Sequence, residues 1–333
     1  MIRPAQWLDR REFIRTVSAG VALVPFLGDE GIGQILAPRR SRVALVRTSD
    51  RKKGVTEVLK LMDLRNVAGK RVVLKPNFNS ADQTPGSTHN DTLSQLVTEL
   101  HERGARSITL GESSGPGRTR TIMEQKGTFD LARDLRFDIV NFDEIADSDW
   151  VSFAAAGTHW PEGFCLPRLV IDSEYTVSTC CLKTHGMAGV FTMSLKLSVG
   201  LTPKSIRMMP MHASPDVRKM IAELNTGYRP SLIVLDGVAA FTDGGPATGE
   251  LKQGNVMIAG DDRVAVDAVG LAMLKSLGAN QAIMNRRIFE QEQIARAVEL
   301  KLGATGPDAI DIVTADAESR AVADTLRPIL AQG

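Results

Sequence analysis

The sequence has few of the residues that mark specialised binding surfaces. Aromatic residues make up only 5% of its 333 positions, which argues against stacking platforms for single-stranded nucleic acids or glycans. Lys and Arg number 40 against 39 Asp and Glu, so the net charge does not direct the protein to nucleic acid or to an anionic membrane. We therefore expect no nucleic-acid partner, and a small-molecule ligand is the simpler expectation.

Cysteine is also scarce. Cys165, Cys180 and Cys181 are the three cysteines, and none of them forms a CxxC pair. Three are too few for a four-cysteine zinc or iron–sulfur site, so an iron–sulfur cluster is not expected. Cys180 and Cys181 are adjacent within an apolar run, and we favour a buried strand over a redox or metal pair.

The first forty residues resemble a twin-arginine export signal. Arg10 and Arg11 precede Phe13, Ile14 and an uncharged stretch at residues 16–28, in the order typical of such signals. A basic amphipathic first helix is the alternative. No small-x-small cleavage motif follows, so cleavage and retention as an anchor both remain open, although the stretch is too short for an ordinary membrane span. We expect export by the twin-arginine machinery to the periplasm or the outer face of the membrane, with no stable span beyond this segment.

The remainder alternates short β-branched runs with helical patterns. This alternation predicts an α/β fold, Rossmann-like, with a mainly parallel sheet and crossover helices. The predicted strands are residues 42–46, 71–74, 107–110, 137–141, 175–179, 232–235, 256–259 and 310–313. Apolar residues that recur at spacings of three and four residues predict helices at residues 54–62, 92–103, 214–225, 264–276 and 288–301.

The α/β region is expected to span residues 42–315, followed by a C-terminal helix or tail at 316–333. Asp, Gly and Pro residues interrupt the pattern near 145–165. This break is compatible with two lobes, 42–150 and 165–315, around a cleft. One continuous sheet is the alternative.

Lys75, Asn77 and Asn79 follow the apolar run at residues 72–74. They are therefore expected at the carboxyl end of a strand, where open parallel sheets bind ligands. Lys75 is a candidate catalytic residue that holds an anion, and Asn77 and His89 are candidate substrate-binding residues that orient it. The alternative is that the asparagines only shape the turn.

Two short segments have competing local interpretations. Residues 111–117 offer backbone amides after another strand and are a candidate anion-binding nest, with a flexible turn as the alternative. Ser87, Thr88 or Asn90 could cap the helix that follows them, and Asp261 or Asp262 is well placed to cap the helix near residue 264.

Lys183 and His185 are two positions apart at a predicted strand end, so an extended chain places both side chains on one face. Lys196 follows among small residues. These groups could bind a carboxylate or phosphate and move a proton near neutral pH. We expect Lys183 and His185 to be catalytic and Lys196 to bind the substrate; a structural role for a lone histidine is the alternative.

Asp236 and Asp243 follow the predicted strand at 232–235, and Asp267 lies one turn into the helix near residue 264. Carboxylates in glycine-rich turns suit a divalent metal or a substrate hydroxyl, but Asp and Gly also dominate ordinary turns. These three aspartates are candidate metal ligands, and Gly245 and Gly249 are candidate substrate-binding positions.

Taken together these motifs resemble the domain of unknown function 362 family over residues 42–315. The resemblance is carried by Lys75-Pro76-Asn77, Lys183-Thr184-His185-Gly186, Leu195-Lys196 with Gly200-Leu201, Asp236-Gly237, Gly245-Pro246 with Gly249, and Asp262 with Ala265-Val266-Asp267. It implies an α/β fold, frequent twin-arginine signals and, in many members, appended ferredoxin-type clusters. The chain departs from the family in lacking a cysteine-rich module and in having Leu197 where asparagine is more usual.

Three functions are compatible with these residues. The first is an enzyme for a small anionic substrate, with a Lys/His site and a divalent metal as a candidate cofactor. Its chemistry would be metal-assisted hydrolysis, proton transfer or redox, because no cofactor fingerprint separates them. The second is a periplasmic ligand- or cofactor-binding protein without chemistry. The third is a redox accessory protein that has lost its iron–sulfur module.

Overall fold

The computed structural model describes residues 40–62, 64–187 and 189–333. The predicted export signal lies outside these residues. These described residues belong to one compact unit. Within the described part, no helix is both long and apolar enough to cross a bilayer.

A nine-stranded, mostly parallel sheet dominates the described chain and confirms the predicted α/β class. The strands are β1 Ser41–Arg47, β2 Arg71–Lys75, β3 Ser107–Glu112, β4 Asp138–Asn141, β5 Trp150–Phe153, β6 Phe164–Pro167, β7 Tyr175–His185, β8 Val190–Thr192, β9 Leu232–Gly244, β10 Gly249–Gly260 and β11 Ile310–Val313. The order across the sheet is β11-β1-β10-β9-β7-β2-β3-β4, with β8 paired to β7, while β5 and β6 form a separate hairpin. Strands from both sides of the predicted boundary thus belong to the same sheet.

Parallel pairing is concentrated where the predicted site lies. Strands β9, β7, β2, β3 and β4 pair in parallel, so their carboxyl ends share one edge. Within the nine-stranded sheet the antiparallel pairs are β1–β10, β9–β10 and β7–β8. β7 is buried along its whole length, as expected for a strand covered on both faces. It also contains Cys180 and Cys181, whose predicted place in a buried strand is confirmed.

Helices cover both faces of the sheet. They are α1 Arg51–Leu61, α2 Asn90–Glu102, α3 Thr119–Gln125, α4 Thr128–Leu135, α5 Arg168–Ile171, α6 Ser194–Leu197, α7 Lys204–Ile206, α8 Val217–Leu224, α9 Arg263–Ser276, α10 Gln281–Met284, α11 Glu292–Glu299 and α12 Ala317–Ala331. Short 3₁₀ turns occupy Arg65–Val67, Asp147–Asp149, Ser198–Leu201, Ile288–Glu290 and Pro307–Ala309, and a π turn occupies Arg207–Met211.

The sheet separates two large apolar cores, and a third lies beside the hairpin. On one face α9 is buried on nearly all sides and packs with α12. On the other face α1 and α2 share a core with buried residues of β1, β2, β3 and β10. The third core packs Trp160 and Phe164 against α8. The site therefore sits on a frame that is closed on both faces.

Local capping decides where several helices begin. Asp262 accepts hydrogen bonds from the amides of Val264 and Ala265, as predicted. The cap of α2 differs from the prediction, because the His89 ring nitrogen accepts from the Asp91 amide. The predicted helix at 288–301 is also divided, with a 3₁₀ turn before α11.

Candidate functional site

A small cleft of about 50 Å³ lies at the carboxyl ends of β2, β3 and β7. Its remaining wall comes from α6, the 3₁₀ turn after it and the π turn. The ionisable side chains that line it are Lys75, Glu112, Lys183, His185, Lys196 and Arg207. All are at least nine-tenths buried. The structure thus brings four of the basic residues identified in the sequence to one place.

Lys75 and Glu112 form a buried ion pair at the floor of the cleft. The Lys75 Nζ lies 2.5 Å from Glu112 Oε1 and also donates to the Pro76 carbonyl. Glu112 accepts from the amides of Phe78 and Ser113 as well. Burial lowers the pKa of Lys75, while Glu112 acts in the opposite direction. Because Glu112 neutralises it, Lys75 is poorly suited to hold a second anion.

Lys183 is held by carbonyl groups. Its Nζ donates to Gly86 O at 2.5 Å and to Pro246 O at 3.0 Å. Burial lowers its pKa to about 8, so the ammonium is still the major form at neutral pH. Two carbonyl dipoles orient this charge without cancelling it.

His185 shares the end of β7 with Lys183, as the two-residue spacing predicts. Burial, followed by the nearby charges of Lys196 and Lys183, lowers the pKa of its imidazole to about 2. The ring is therefore neutral at physiological pH. Its buried Nδ1 has no hydrogen-bond partner among the described residues.

Lys196 projects from α6, a single helical turn whose amino end is fixed by α9. The Asp267 carboxylate accepts from the amides of Ser194 at 2.7 Å and Leu195 at 2.9 Å. Within the described chain the Lys196 ammonium has neither a carboxylate nor a hydrogen-bond partner. Burial, and then the charges of Lys183 and Arg207, lower the pKa of Lys196 to about 7. Lys196 can therefore hold or release a proton near neutral pH.

Arg207, from the π turn, completes the basic lining and was not identified from the sequence. Its Nη2 donates to the Ser113 and Ser114 carbonyls and to the Ser113 hydroxyl. Its buried Nε has no partner among the described residues. The only sequence signal is an arginine between apolar residues, Ile206 and Met208. The guanidinium thus brings a further charge and a free donor to the cleft.

Two glycines let the chain pass close to the lysines. A Cβ at Gly189 would lie 2.5 Å from Lys196 Cε, and a Cβ at Gly200 would lie 2.8 Å from Lys75 Nζ. Both distances are shorter than van der Waals contact. The absence of a side chain at these positions therefore shapes the cleft around the amines.

The three aspartates predicted as metal ligands are not brought together. Asp236 pairs with Arg51 at 2.8 Å and accepts from Thr92. Asp243 is exposed and accepts from Asn280, and Asp267 braces α6. Among the described residues, no group of three His, Cys, Asp or Glu side chains has metal-site geometry.

The other candidates divide between the cleft and its surroundings. Asn77 lines the cleft, and its backbone N–H donates to the Thr88 hydroxyl. His89 is a partly exposed helix cap and does not line it. Gly245 instead supports the β7 end, because its carbonyl accepts from the Gly186 amide, and Gly249 begins β10.

The cysteines do not fit an iron–sulfur cluster. Cys180 and Cys181 lie inside β7, and burial raises the pKa of both thiols. Cys165 is on β6 and contacts Ser152. Cluster ligands converge on one point, whereas these three cysteines lie on strands of two different sheets.

These features define a class, an α/β protein with a lysine-rich cleft at the carboxyl edge of a mainly parallel sheet. Residues 72–272 match the family described as "Domain of unknown function (DUF362)". The chain belongs to this family, which confirms the resemblance found in the sequence. The matched region includes every ionisable side chain that lines the cleft.

One relative is the thylakoid-associated protein sll1697 of Synechocystis sp., which is 26% identical over 211 residues. The alignment covers 60% of this chain and 62% of the relative, so less than two thirds of the relative's length is spanned. Among solved structures, the lactate racemase apoprotein from Thermoanaerobacterium thermosaccharolyticum is similar at a TM-score of 0.46 and 13% identity. That match covers 67% of this chain and 54% of that one.

Proposed function

We propose that the protein is an enzyme that binds a small anionic substrate in the cleft and transfers a proton to or from it. The observation that carries the proposal is a surplus of buried positive charge. Lys183 and Arg207 have no ion-pair partner within the described chain. Glu112 is the one carboxylate among the described lining residues, and it is already paired with Lys75.

Burying a charge without a counter-ion is costly. The fold keeps two such charges at the edge where parallel sheets bind ligands. Structural stability alone would be better served by apolar side chains of similar size. A bound anion supplies the missing counter-charge for Lys183 and Arg207.

Lys196 is the proposed acid–base group, because a pKa near the working pH makes proton transfer in both directions efficient. This assignment changes the roles expected from the sequence. His185, with its pKa lowered to about 2, is neutral and is assigned a hydrogen-bonding role toward the substrate. Lys75 is assigned to the support of Glu112 and the cleft floor.

A deuterium-exchange screen tests the proposal. Wild-type protein is incubated in D₂O with small carboxylates and phosphate monoesters, and loss of C–H signals is followed by NMR. At least one compound should exchange with wild type and with the exposed control K60M, but not with K196M. The proposal fails if no compound exchanges, or if K196M and wild type exchange equally.

A second candidate is a ligand-binding protein without chemistry. The low pKa of His185 favours it, because a histidine that resists protonation is a weak base. This candidate predicts stoichiometric binding with no exchange, retained binding in H185Q, and weaker binding when Lys183 or Lys196 is replaced by Met. Binding titrations of these variants, together with the exchange screen, separate the two candidates.

Export by the twin-arginine route is proposed from Arg10, Arg11 and the uncharged stretch behind them. The test fuses residues 1–45 to a folded reporter and compares it with the double substitution R10K/R11K. The reporter should reach the periplasm only with the arginine pair intact. Equal export of both fusions would contradict the proposal.

A further inference from the structure

The charges around the cleft can be counted from the described contacts. Lys75 and Glu112 cancel at 2.5 Å. Lys183 and Arg207 remain, and Lys196 adds a third positive charge when it is protonated. Asp82 lies near Lys183, and Glu112 and Asp143 lie near Arg207. Of these three only Glu112 lines the cleft, where it is paired with Lys75. Asp143 is moreover paired with Lys204 at 2.5 Å.

Three nitrogen atoms are available to a ligand in this basic environment. Arg207 Nε and His185 Nδ1 are buried without partners among the described residues. The Lys196 ammonium likewise has no hydrogen-bond partner there. Buried donors are almost always satisfied. Unpaired polar nitrogens from three different elements on one cleft therefore point to a polar ligand with several oxygen atoms.

We infer that the ligand of this cleft is a small dianion, a tetrahedral oxyanion or a short dicarboxylate, and that the cleft takes up a proton when the ligand binds. The inference rests on the proposed function and specifies its substrate class. Two negative charges balance Lys183 and Arg207. The small volume of about 50 Å³ favours a compact ligand whose two charges lie close together.

The proton is taken up on Lys196. The charged and titratable groups that act on it are Lys183 and His185 from β7, Arg207 from the π turn, and His212 just after that turn. Lys183 and Arg207 are positively charged and oppose its protonation, whereas the His185 ring is neutral. A dianion beside them reverses the local potential and favours the ammonium form.

Calorimetric titration tests both parts of the inference. Sulfate, malonate and acetate are titrated at pH 7 into the full-length protein, in two buffers with different ionisation heats. Wild type should bind sulfate or malonate at least tenfold more tightly than acetate. The difference between the heats in the two buffers should correspond to an uptake of about half a proton. Lys196 is about half protonated at that pH before the ligand binds. Preference for sulfate indicates a phosphate-like group, and preference for malonate a dicarboxylate.

Substitutions of Lys196 test whether this residue takes up the proton. K196R keeps the charge but removes the group that titrates near neutral pH, so it should bind the preferred dianion without proton uptake. K196M should bind at least tenfold more weakly, and K60M should behave as wild type. Circular dichroism checks that each variant is folded.

The outcomes distinguish failure of the dianion inference from failure of the proposed function. Acetate binding as tightly as the dianions, or undiminished proton uptake in K196R, would overturn the dianion inference and leave the anion site intact. If none of the three anions binds wild type, the inference and the proposed function both fail.

Discussion

The Lys75 ammonium and the Glu112 carboxylate meet at 2.5 Å, with both side chains at most 2% exposed. They come from the ends of neighbouring strands, β2 and β3. Glu112 also accepts two backbone amides, so its oxygens hold the turns that follow both strands. The pair therefore ties the floor of the cleft to the sheet, in addition to neutralising Lys75.

Replacing Glu112 with Gln should destabilise the protein by about 3–5 kcal/mol, because Lys75 is then a buried charge without its partner. The free energy of unfolding is measured by urea denaturation. The control is E57Q, which breaks the solvent-exposed pair between Glu57 and Lys60 and should cost less than about 1 kcal/mol. Similar losses in the two variants would contradict the assigned role.

Asp267 should act on the site through α6. The Asp267 carboxylate accepts two buried hydrogen bonds, from the backbone amides of Ser194 and Leu195. Asp267→Asn disturbs one of them and should cost about 1–3 kcal/mol of stability. It should also shift the pH at which Lys196 becomes reactive toward acetic anhydride, which a purely structural role would not do. D243N, at an exposed carboxylate, is the control. An unchanged reactivity profile in D267N would exclude the positioning role.

The sequence predicts the sheet and four of the six ionisable side chains of the cleft, most of them for a simple physical reason. Runs of β-branched residues identify strands locally, and parallel strands place the residues that follow them at one edge. Lys75 and Lys183 are identified in this way. His185 is identified with them because side chains two apart on a strand share a face.

The remaining site residues depend on contacts that no local pattern contains. Glu112 is placed in a turn by the sequence pattern, whereas β3 extends two residues beyond its predicted end. Arg207 reaches the cleft only through the irregular path of the segment after α6. Asp236 is paired with Arg51, a residue 185 positions earlier. A carboxylate after a strand looks the same in sequence whether it binds a metal or an arginine.

The low pKa of Lys196 predicts a stability profile with a definite sign. Its pKa in the folded state, about 7, lies below the ordinary lysine value of 10.5. Between these values the unfolded chain binds more protons, so stability rises with pH. The unfolding free energy of wild type relative to K196M should therefore increase from pH 7 to pH 10 and level off below pH 7. Denaturation of both proteins across this range measures it, and a flat difference would show that Lys196 titrates normally.

Gly189 offers a way to move Lys196 without replacing it. A methyl group there would lie 2.5 Å from Lys196 Cε and 3.4 Å from His185 Cγ. The end of a lysine side chain can move aside at little cost. Gly189→Ala should therefore leave the protein folded while displacing the Lys196 amine. The affinity for the preferred dianion should fall at least tenfold. The pKa of Lys196 should rise, because the displaced amine is more hydrated. Gly306→Ala is the matched control, because a methyl group at that position would have nothing within 4 Å of it. Calorimetry and acetylation profiles of the two variants measure these effects, and equal behaviour of G189A and G306A would show that close packing against Gly189 does not set the position or the chemistry of Lys196.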